Sequence, residues 1–592
     1  MDADQRPDES QLEVIQAEPE ERIIVTAAAG QGKTHVVVDR LRFLDAGGFD
    51  LNDEVLVLSF SRAAVEVMSS RTEASALPST VVRTFDSYAA ELNQQYGNPE
   101  FLGFDRAIRE ATRLVESGAA DMEHLSHVIV DEVQDLVGDR AAFVLAILRN
   151  VPHAGFTLLG DPLQGIYDFQ METSGESALT SEKLLSITRT ELGARDLKLR
   201  HHYRARSDRM RSLPAVGDQI RDLMHHDPAE AHKLLDDFRE AHGSVVSDIL
   251  TLEGYLYGDG DERTAVLAST NVEILDLSER LHNEGIPHSI RRPSQERGYA
   301  HWIAPVLAMS TTPRLSVAEF NERMRSLKQP EPTESIWNSL KALEGDRRDH
   351  RVLDLRRLNQ SMRTRHAPAS LSETDTHALT LSTVHRSKGL EFDVVIHIDD
   401  ERRSRSPEGA DSLRTKYVAS SRARDELFIV RPSKKTSRNT RKTGGRWVHY
   451  AFGRNGIRYP ERFETVADDF QPIALETCGP DSLRLIGEPL LARMRNSQHD
   501  EIEYTVHTEA GLNLARSAPH LTDFLERHII WSGKSRESAY PPSLDGVRTV
   551  AIESVALAPN LDPAAPLFGH IARLGGFARP LWASSEKEGH IS

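Results

Sequence analysis

Cysteine is almost absent from the chain: Cys478 stands alone in 592 residues. An internal disulfide is thereby excluded, as is any zinc or iron–sulfur site built from cysteines, and a reducing cytoplasm is the expected compartment. Aromatic residues make up only 6%. Long apolar runs are also missing; none approaches the ~20 residues that span a bilayer, so no membrane contact is expected. The opening Met1-Asp2-Ala3-Asp4 is acidic where a signal peptide is basic. Positive charge is in deficit, with 72 Lys and Arg against 90 Asp and Glu, a net charge of −18. Bulk charge therefore does not hold the molecule on nucleic acid, and a polyanion must be gripped by local basic patches. One candidate patch comprises Arg431, Lys434, Lys435, Arg438, Arg441, Lys442 and Arg446, in a Ser/Thr/Gly-rich stretch that reads equally well as a solvated linker. What remains, 39% apolar and 27% charged residues, fits a soluble globular protein of about three or four domains.

The most informative stretch is Ile23-Ile24-Val25-Thr26-Ala27-Ala28-Ala29-Gly30-Gln31-Gly32-Lys33-Thr34. A β-branched run ends in a loop of small residues and passes into a helix carrying Val36, Val37, Val38 and Leu41, the strand, phosphate loop and helix order of a P-loop. Small residues are needed because backbone N–H groups must approach phosphate oxygens closely, aided by the positive end of the helix. Lys33 then reaches the β- and γ-phosphates and Thr34 holds Mg²⁺. Ala27 stands where the motif G-x-x-x-x-G-K-[ST] has its first Gly. The plain alternative is a Gly-rich turn after a buried strand.

Upstream, Gln11 opens an amphipathic stretch; its amide suits an adenine edge, or it is an ordinary helix surface residue. Downstream, strands at 54–60 and 81–88 alternate with helical patterns, implying βαβ units and a parallel sheet with functional loops at strand C-terminal ends. His127-Val128-Ile129-Val130 runs into Asp131-Glu132-Val133-Gln134-Asp135. Adjacent carboxylates at a strand end are what a P-loop NTPase needs, Asp131 toward the metal and Glu132 as the base for water. Strand 156–159 leads to Gly160-Asp161-Pro162-Leu163-Gln164-Gly165-Ile166-Tyr167-Asp168-Phe169, with Gln164 placed to sense the γ-phosphate. His201-His202-Tyr203-Arg204 follows; adjacent histidines rarely point the same way and no third metal ligand is evident. A second α/β set at 265–290 is interrupted by a charged, mostly helical segment at 291–376 and resumes at 378–396 and 417–430. Arg422, on a helix before an apolar strand, is either a surface residue or the arginine finger that a P-loop site without a local cation requires. Past residue 447 no catalytic constellation is evident, and the composition suits small β-rich or mixed accessory domains.

Taken in order, these stretches resemble the UvrD/Rep/PcrA-like superfamily 1 helicases. The resemblance rests on the P-loop at 27–34, the segment 57–68, D-E-x-Q-D at 131–135, and G-D-x-x-Q-x-I-Y at 160–169. It continues through the Tyr203-Arg204 motif, T-x-H-x-x-K-G-L-E-F at 383–392 and Y-V-A-x-[ST]-R-A at 417–423. It implies two RecA-like domains, α/β with parallel sheets flanked by helices, with ATP and Mg²⁺ as cofactors and a C-terminal mixed or β-rich extension. It also implies that Gln11 contacts adenine, Tyr203 stacks on it, Glu391 touches the ribose, Gln164 couples γ-phosphate to DNA, and Arg204 and Arg422 are arginine fingers. The backbone from Ala27 through Ala28, Ala29, Gly30, Gln31 and Gly32 to Lys33 and Thr34 cradles the phosphates. Phe60, Ser61, Thr84, Tyr167, Phe169 and His385 fall where the family contacts single-stranded DNA; stacking on aromatic faces grips any base without sequence preference.

The implied division is a first RecA-like domain at 1–198, with a reduced accessory insertion at 88–127, and a second at 199–290 and 377–446. A helical insertion at 291–376 interrupts the second, and 447–592 forms an accessory region. Gln170 and His202 replace the family's usual Arg and Asn. The implied activity is ATP-driven 3′ to 5′ movement on single-stranded DNA and at single/double-strand junctions, with unwinding weakened by the short insertions and a protein partner to assist. Two other readings stay open: a nucleotide-driven remodeller of protein–nucleic acid complexes, and the motor subunit of a nuclease complex.

Overall fold

The computed structural model describes residues 6–59, 82–97, 103–166, 179–203, 205–257, 262–292, 297–308, 312–327, 334–345, 349–372, 377–400, 409–432, 440–452, 458–475, 480–496, 502–529, 540–558 and 566–582, with Val65, Met68 and Leu77. The chain divides into two compact units, residues 1–251 with 387–431, and residues 252–386 with 432–592.

In the first unit, β1 (Arg22–Thr26), β2 (Val55–Ser59), β3 (Val82–Thr84), β4 (His127–Val130), β5 (Gly155–Gly160) and β6 (Arg195–Lys198) form a parallel sheet in the order β3-β2-β4-β5-β1-β6. Its inner strands β2, β4, β5 and β1 are largely apolar because both faces are covered, while the edge strands β3 and β6 carry polar and charged residues. Ile24, Leu56, Val128 and Leu158 enter one core, shared with helices α3 (Phe85–Tyr96), α4 (Phe104–Glu116) and α5 (Asp139–Asn150). Ile23, Val25, Val57 and Ile129 enter the other, where α1 (Glu9–Ile15) and α2 (Lys33–Ala46) contribute Val14, Val36, Val37 and Leu41. Alternation along each strand thus fills two cores. His127 is buried at the start of β4, one ring nitrogen against the Pro19 carbonyl (2.7 Å) and the other against the Thr157 hydroxyl (3.0 Å). Burial pushes its pKa down to about 3, so it is a neutral strut.

Arg40, 1% exposed on α2, donates through Nη1 to the Ile15 carbonyl (3.0 Å) and through Nη2 to the Glu18 carbonyl (3.1 Å). These acceptors lie at and just beyond the end of α1, where helix carbonyls lack intrahelical partners. One guanidinium therefore fastens α1 to the phosphate-loop helix.

The first unit also holds three further parallel strands, β7 (Ser244–Val246), β14 (Phe392–Ile398) and β15 (Ala423–Val430), with β15 between the other two. Three lie in the second unit, β8 (Thr264–Ala268), β9 (Ser289–Ile290) and β13 (Leu379–Thr383), with β13 between the others. Helices such as Pro228–His242 and Asn271–Asn283 accompany them. The RecA-like expectation of two parallel, helix-flanked sheets is met.

The rest of the second unit has a different architecture. Between β9 and β13 lie β10 (Tyr299–Ala300), the hairpin pair β11 (Arg314–Ser316) and β12 (Val352–Asp354), and four helices among the described residues of 291–376. Their own core centres on Trp302, Phe320, Trp337 and Leu358. After residue 440 come β16 (Thr440–Thr443), β17 (Arg446–Phe452), β18 (Arg458–Thr465), β19 (Phe470–Pro472), β20 (Pro489–Asn496), β21 (Ile502–His507), β22 (Asn513–Ser517), β23 (Ser543–Ala556) and β24 (Phe568–Leu581). They make an antiparallel sheet ordered β16-β17-β18-β24-β23-β20-β21-β22-β19, and β10 pairs with β23. This is the β-rich extension expected from composition.

Candidate nucleotide-binding site

The site is assembled at the C-terminal ends of β1, β4 and β5, where a parallel sheet places its functional loops. After β1 the phosphate loop is tied down by the Ala27 N–H donating to the Gly160 carbonyl (2.9 Å). Within the loop only Gly30 (φ 79°) and Gly32 (φ 81°) take left-handed backbone. Ala27 has no positive φ, so a methyl group is tolerated where the motif usually has Gly. Gly32 has a second reason to lack a side chain: a Cβ there would meet Nε2 of Gln11 at 2.7 Å. Gly32 leaves the N-terminus of α2 without a side-chain cap, whereas Thr84 caps α3 and Thr180 caps the helix Ser181–Thr190. The free N–H groups and dipole of α2 are what an incoming phosphate uses.

Lys33 begins α2, with Nζ 3.2 Å from the Ala27 carbonyl and 3.8 Å from Glu132. Thr34 follows directly. Glu132 has φ 56°, the one non-glycine residue with positive φ among the described residues. Such a backbone costs on the order of 1–3 kcal/mol and persists where surrounding contacts impose it. Here it accompanies a carboxylate close to Lys33. Burial raises the pKa of Glu132, but Lys33, Lys388, a hydrogen bond from Gln134 and Arg422 outweigh it and hold the group below its ordinary value. Asp131 behaves oppositely: burial first, then repulsion from Glu132, push it up to about 7. Its Oδ1 is buried with no protein partner. A hard carboxylate oxygen left unsatisfied next to the phosphate loop, with Thr34 one residue beyond Lys33, fits a Mg²⁺ site. These two residues would hold the ion, which supplies charge neutralisation across the phosphate oxygens.

A second layer connects the carboxylates to the residues of 387–431. Lys388 ion-pairs with Asp135 and donates to the Gln164 carbonyl (2.6 Å). Burial, the largest effect, lifts Asp135 to about 6 even with Lys388 beside it. Arg422, 1% exposed, donates through Nη2 to Oε1 of Gln164 and to the Ser421 hydroxyl (3.0 Å each), and also to the Val418 and Leu390 carbonyls (3.3 Å each). Gln164 Nε2 donates to Asp161 Oδ2 (2.9 Å), whose Oδ1 is paired with Arg221 (3.0 Å). Arg422, Gln164, Asp161 and Arg221 thus form one buried polar chain. Desolvation raises the Asp161 pKa, and Arg221 more than reverses it.

At the other end of the loop Gln11 donates to the Gln31 carbonyl (3.2 Å), while its Oε1 accepts from the Asp8 N–H (3.2 Å) and the Tyr203 hydroxyl (3.1 Å). The Tyr203 N–H is bound to the Gly30 carbonyl (2.9 Å). Gln11 and Tyr203 are therefore both anchored on the phosphate loop. The Gln31 side chain turns inward and accepts from the Ala28 N–H (2.6 Å).

Of the remaining sequence candidates, Glu391 pairs with Arg424 (Nε at 2.9 Å). The Thr84 hydroxyl accepts from the Ser87 N–H (3.1 Å) as the cap of α3. His385 opens a short 3₁₀ turn, His385–Ser387. His202, in the place of the usual Asn, accepts the Ala205 N–H at Nδ1 (3.1 Å). Phe60, Ser61, Tyr167, Phe169, Gln170 and Arg204 lie outside the described residues. Sequence reasoning gave no role to Lys388 or Arg221. Lys388 does lie inside a quoted motif, whereas nothing in the sequence marks Arg221, one of several basic residues between 204 and 221.

Residues 11–170 match the family model of an AAA domain, and residues 378–430 match that of the UvrD-like helicase C-terminal domain. The two segments carry the phosphate loop with its paired acids and the Lys388–Arg422 layer. Those two segments of the chain are similar to an AAA domain and to the C-terminal domain of UvrD-like helicases. A protein of Acanthamoeba polyphaga mimivirus whose name describes a putative ATP-dependent DNA helicase is 28% identical to this chain over 164 residues, 25% of the chain and 23% of that protein. The RecB subunit of the Chlamydia pneumoniae RecBCD enzyme is 34% identical over 82 residues, 14% of the chain and 8% of that protein. The chain therefore spans less than a quarter of the length of either relative. Among solved structures, Pif1 helicase from Bacteroides with ADP-AlF3 and single-stranded DNA aligns at 13% identity and a TM-score of 0.35, over 72% of this chain and 92% of that one.

Proposed function

We propose that the protein is an ATP-hydrolysing motor that moves on single-stranded DNA and unwinds duplex from a junction, using Mg²⁺. The observation that carries this reading is the asymmetric carboxylate pair. Glu132 lies 3.8 Å from Lys33, which helps hold its pKa below the ordinary value, and Asp131 keeps an unpartnered oxygen, both at the mouth of an uncapped helix. Glu132 accepts the proton of the attacking water, Asp131 and Thr34 hold the metal, and Lys33 leaves the Ala27 carbonyl for the phosphates. Gln11 and Tyr203 take the base and Glu391 the ribose. Arg422, already bonded to Gln164, supplies positive charge against the negative charge that builds on the γ-phosphate oxygens, and Gln164 passes the change to the DNA-contacting loops. Arg204 is the second finger. Phe60, Ser61, Thr84, Tyr167, Phe169 and His385 contact DNA, with 3′ to 5′ movement inherited from the UvrD-like resemblance. Residues 1–198 act as the first motor domain, 199–290 with 377–446 as the second, 88–127 and 291–376 as reduced insertions and 447–592 as an accessory region; the working compartment is the cytoplasm.

The test is steady-state ATP hydrolysis with and without single-stranded DNA, double-stranded DNA and RNA, followed by strand displacement on 3′- and 5′-tailed duplexes. Strong stimulation by single-stranded DNA and displacement only from the 3′ tail are expected. Silence with every nucleic acid sinks the motor reading, and displacement only from the 5′ tail reverses the polarity. The match to a RecB subunit favours a second reading, a motor working within a larger enzyme, for which copurifying nuclease activity is the sign.

A further inference from the structure

The basic run singled out in the sequence has three fates in the fold. Arg431 pairs with Glu240 (2.8 Å). Arg446 is buried in a bidentate ion pair with Asp469 (2.6 and 2.7 Å), its guanidinium 4.3 Å from the Phe524 ring centroid. Lys442 is exposed. It lies on β16 directly opposite Trp447 of β17, its Nζ 6.0 Å from the indole centroid. The hairpin that pairs them turns through Gly444 (φ 57°) and Gly445 (φ 82°), the left-handed pair that a tight two-residue turn needs.

Lys442 and Trp447 form one wall of a groove of about 300 Å³ in the second unit. Its floor is apolar, with Ile274, Ile290, Phe470 and Leu574. Arg292, Arg386 and Arg573 also line it. Arg292 and Arg573 both pair with the fully buried Glu553 (2.6 Å each), so two guanidiniums share a single carboxylate. Glu464 is the one lining carboxylate, and it accepts the Trp447 N–H (3.1 Å). Lys442, Arg292, Arg386 and Arg573 thus bring four cations to a groove with one lining carboxylate, on a chain whose net charge is −18. A half-exposed indole beside an apolar floor, rimmed by lysine and arginine, matches unpaired bases strung on a phosphate backbone.

We propose that this groove is a second binding site for single-stranded nucleic acid, separate from the nucleotide site and independent of ATP, in which a base stacks on Trp447 and phosphates meet Lys442 and Arg386. The proposal rests on nucleic acid being what the motor acts on, but its test does not require the motor to run. Binding of a labelled oligothymidylate to the full chain is followed by anisotropy without nucleotide, alongside quenching of intrinsic tryptophan fluorescence. Trp447 is one of five tryptophans, so Trp447→Phe is expected to keep most of the affinity while removing much of the quench. Trp447→Ala with Lys442→Ala is expected to weaken binding about tenfold and to lower the salt slope by about one. Thermal melting at the wild-type temperature checks that each variant is folded. Unchanged affinity in the folded double variant, or an unchanged quench in Trp447→Phe, overturns the proposal. So does displacement of the oligonucleotide from the wild-type chain, but not from the double variant, by a polyglutamate peptide at matched charge, which assigns the groove to acidic protein segments. Failure of the motor reading shows separately, as ATP hydrolysis unmoved by an oligonucleotide that still quenches Trp447.

Discussion

Two buried ionic clusters in this molecule use the same residue types and differ in how completely they are satisfied. In the antiparallel sheet, Asp469 accepts two bonds from Arg446, one from the Val466 N–H (2.8 Å) and a contact from His520 (3.2 Å), so both oxygens are occupied. At the phosphate loop, Asp131 has an oxygen with no partner and Glu132 sits on a strained backbone. A fully satisfied cluster positions structure. One with an unmet oxygen and a displaceable cation reserves those groups for a ligand, and the fold carries the cost.

The largest expected effect separates the clusters by chemistry. Glu132→Gln should lower the rate of ATP hydrolysis by about 10²–10⁴-fold with ATP binding retained, and Lys33→Ala should be equally inactive. Arg422→Ala should lower turnover by about 10³-fold while sparing ATP affinity. A coupled hydrolysis assay beside fluorescent-nucleotide binding reads both, and near wild-type turnover in any of the three removes that residue from the mechanism.

Stability should sort the other way. Arg446→Ala leaves a buried carboxylate unpaired and is expected to cost about 3–5 kcal/mol in urea unfolding. Arg221→Ala should cost about 2–3 kcal/mol at pH 7, because Asp161 then lacks the cation that lowers its pKa. A depressed carboxylate contributes stability above its unfolded value of 3.8, and that contribution fades as pH falls through the folded value. In Arg221→Ala, burial alone raises Asp161, so the penalty should shrink as pH drops from 7 toward 4; a constant penalty breaks the assignment. The smallest effect is the sharpest. Asp131→Asn replaces a buried carboxyl whose Oδ1 has no protein partner, and should leave the apo protein as stable or about 1 kcal/mol more so while abolishing Mg²⁺-dependent turnover. A marked fall in melting temperature would place Asp131 with Asp469 as a structural group.

Most of the phosphate site was legible in the sequence because it is local. A β-branched strand, a small-residue loop and a helix start fall within twelve residues, and Asp131 with Glu132 ends a strand of four. The Ala27 departure became intelligible only with backbone angles, which demand glycine at positions 30 and 32 alone. The second layer was illegible for a different reason. Lys388 meets Asp135 across 253 residues and Arg221 meets Asp161 across 60, and no spacing rule reaches that far. The antiparallel sheet was foreseen only as β-rich, since its order interleaves β24 and β23 between β18 and β20. The basic run looked uniform in sequence; burial alone distinguishes Arg446 from Lys442.

Arg40 gives the fold one further property. By gripping the carbonyls at the end of α1 from the middle of α2, it makes the helix that bears Gln11 and the helix that begins at Lys33 a single ruler with a fixed span. On the proposed site, an adenine edge read at one end would be gauged against a phosphate chain seated at the other, so a nucleotide with a shorter phosphate tail would satisfy the base end and leave Lys33 unreached. On that reading, nucleotide length, rather than base identity alone, is what the first unit would measure.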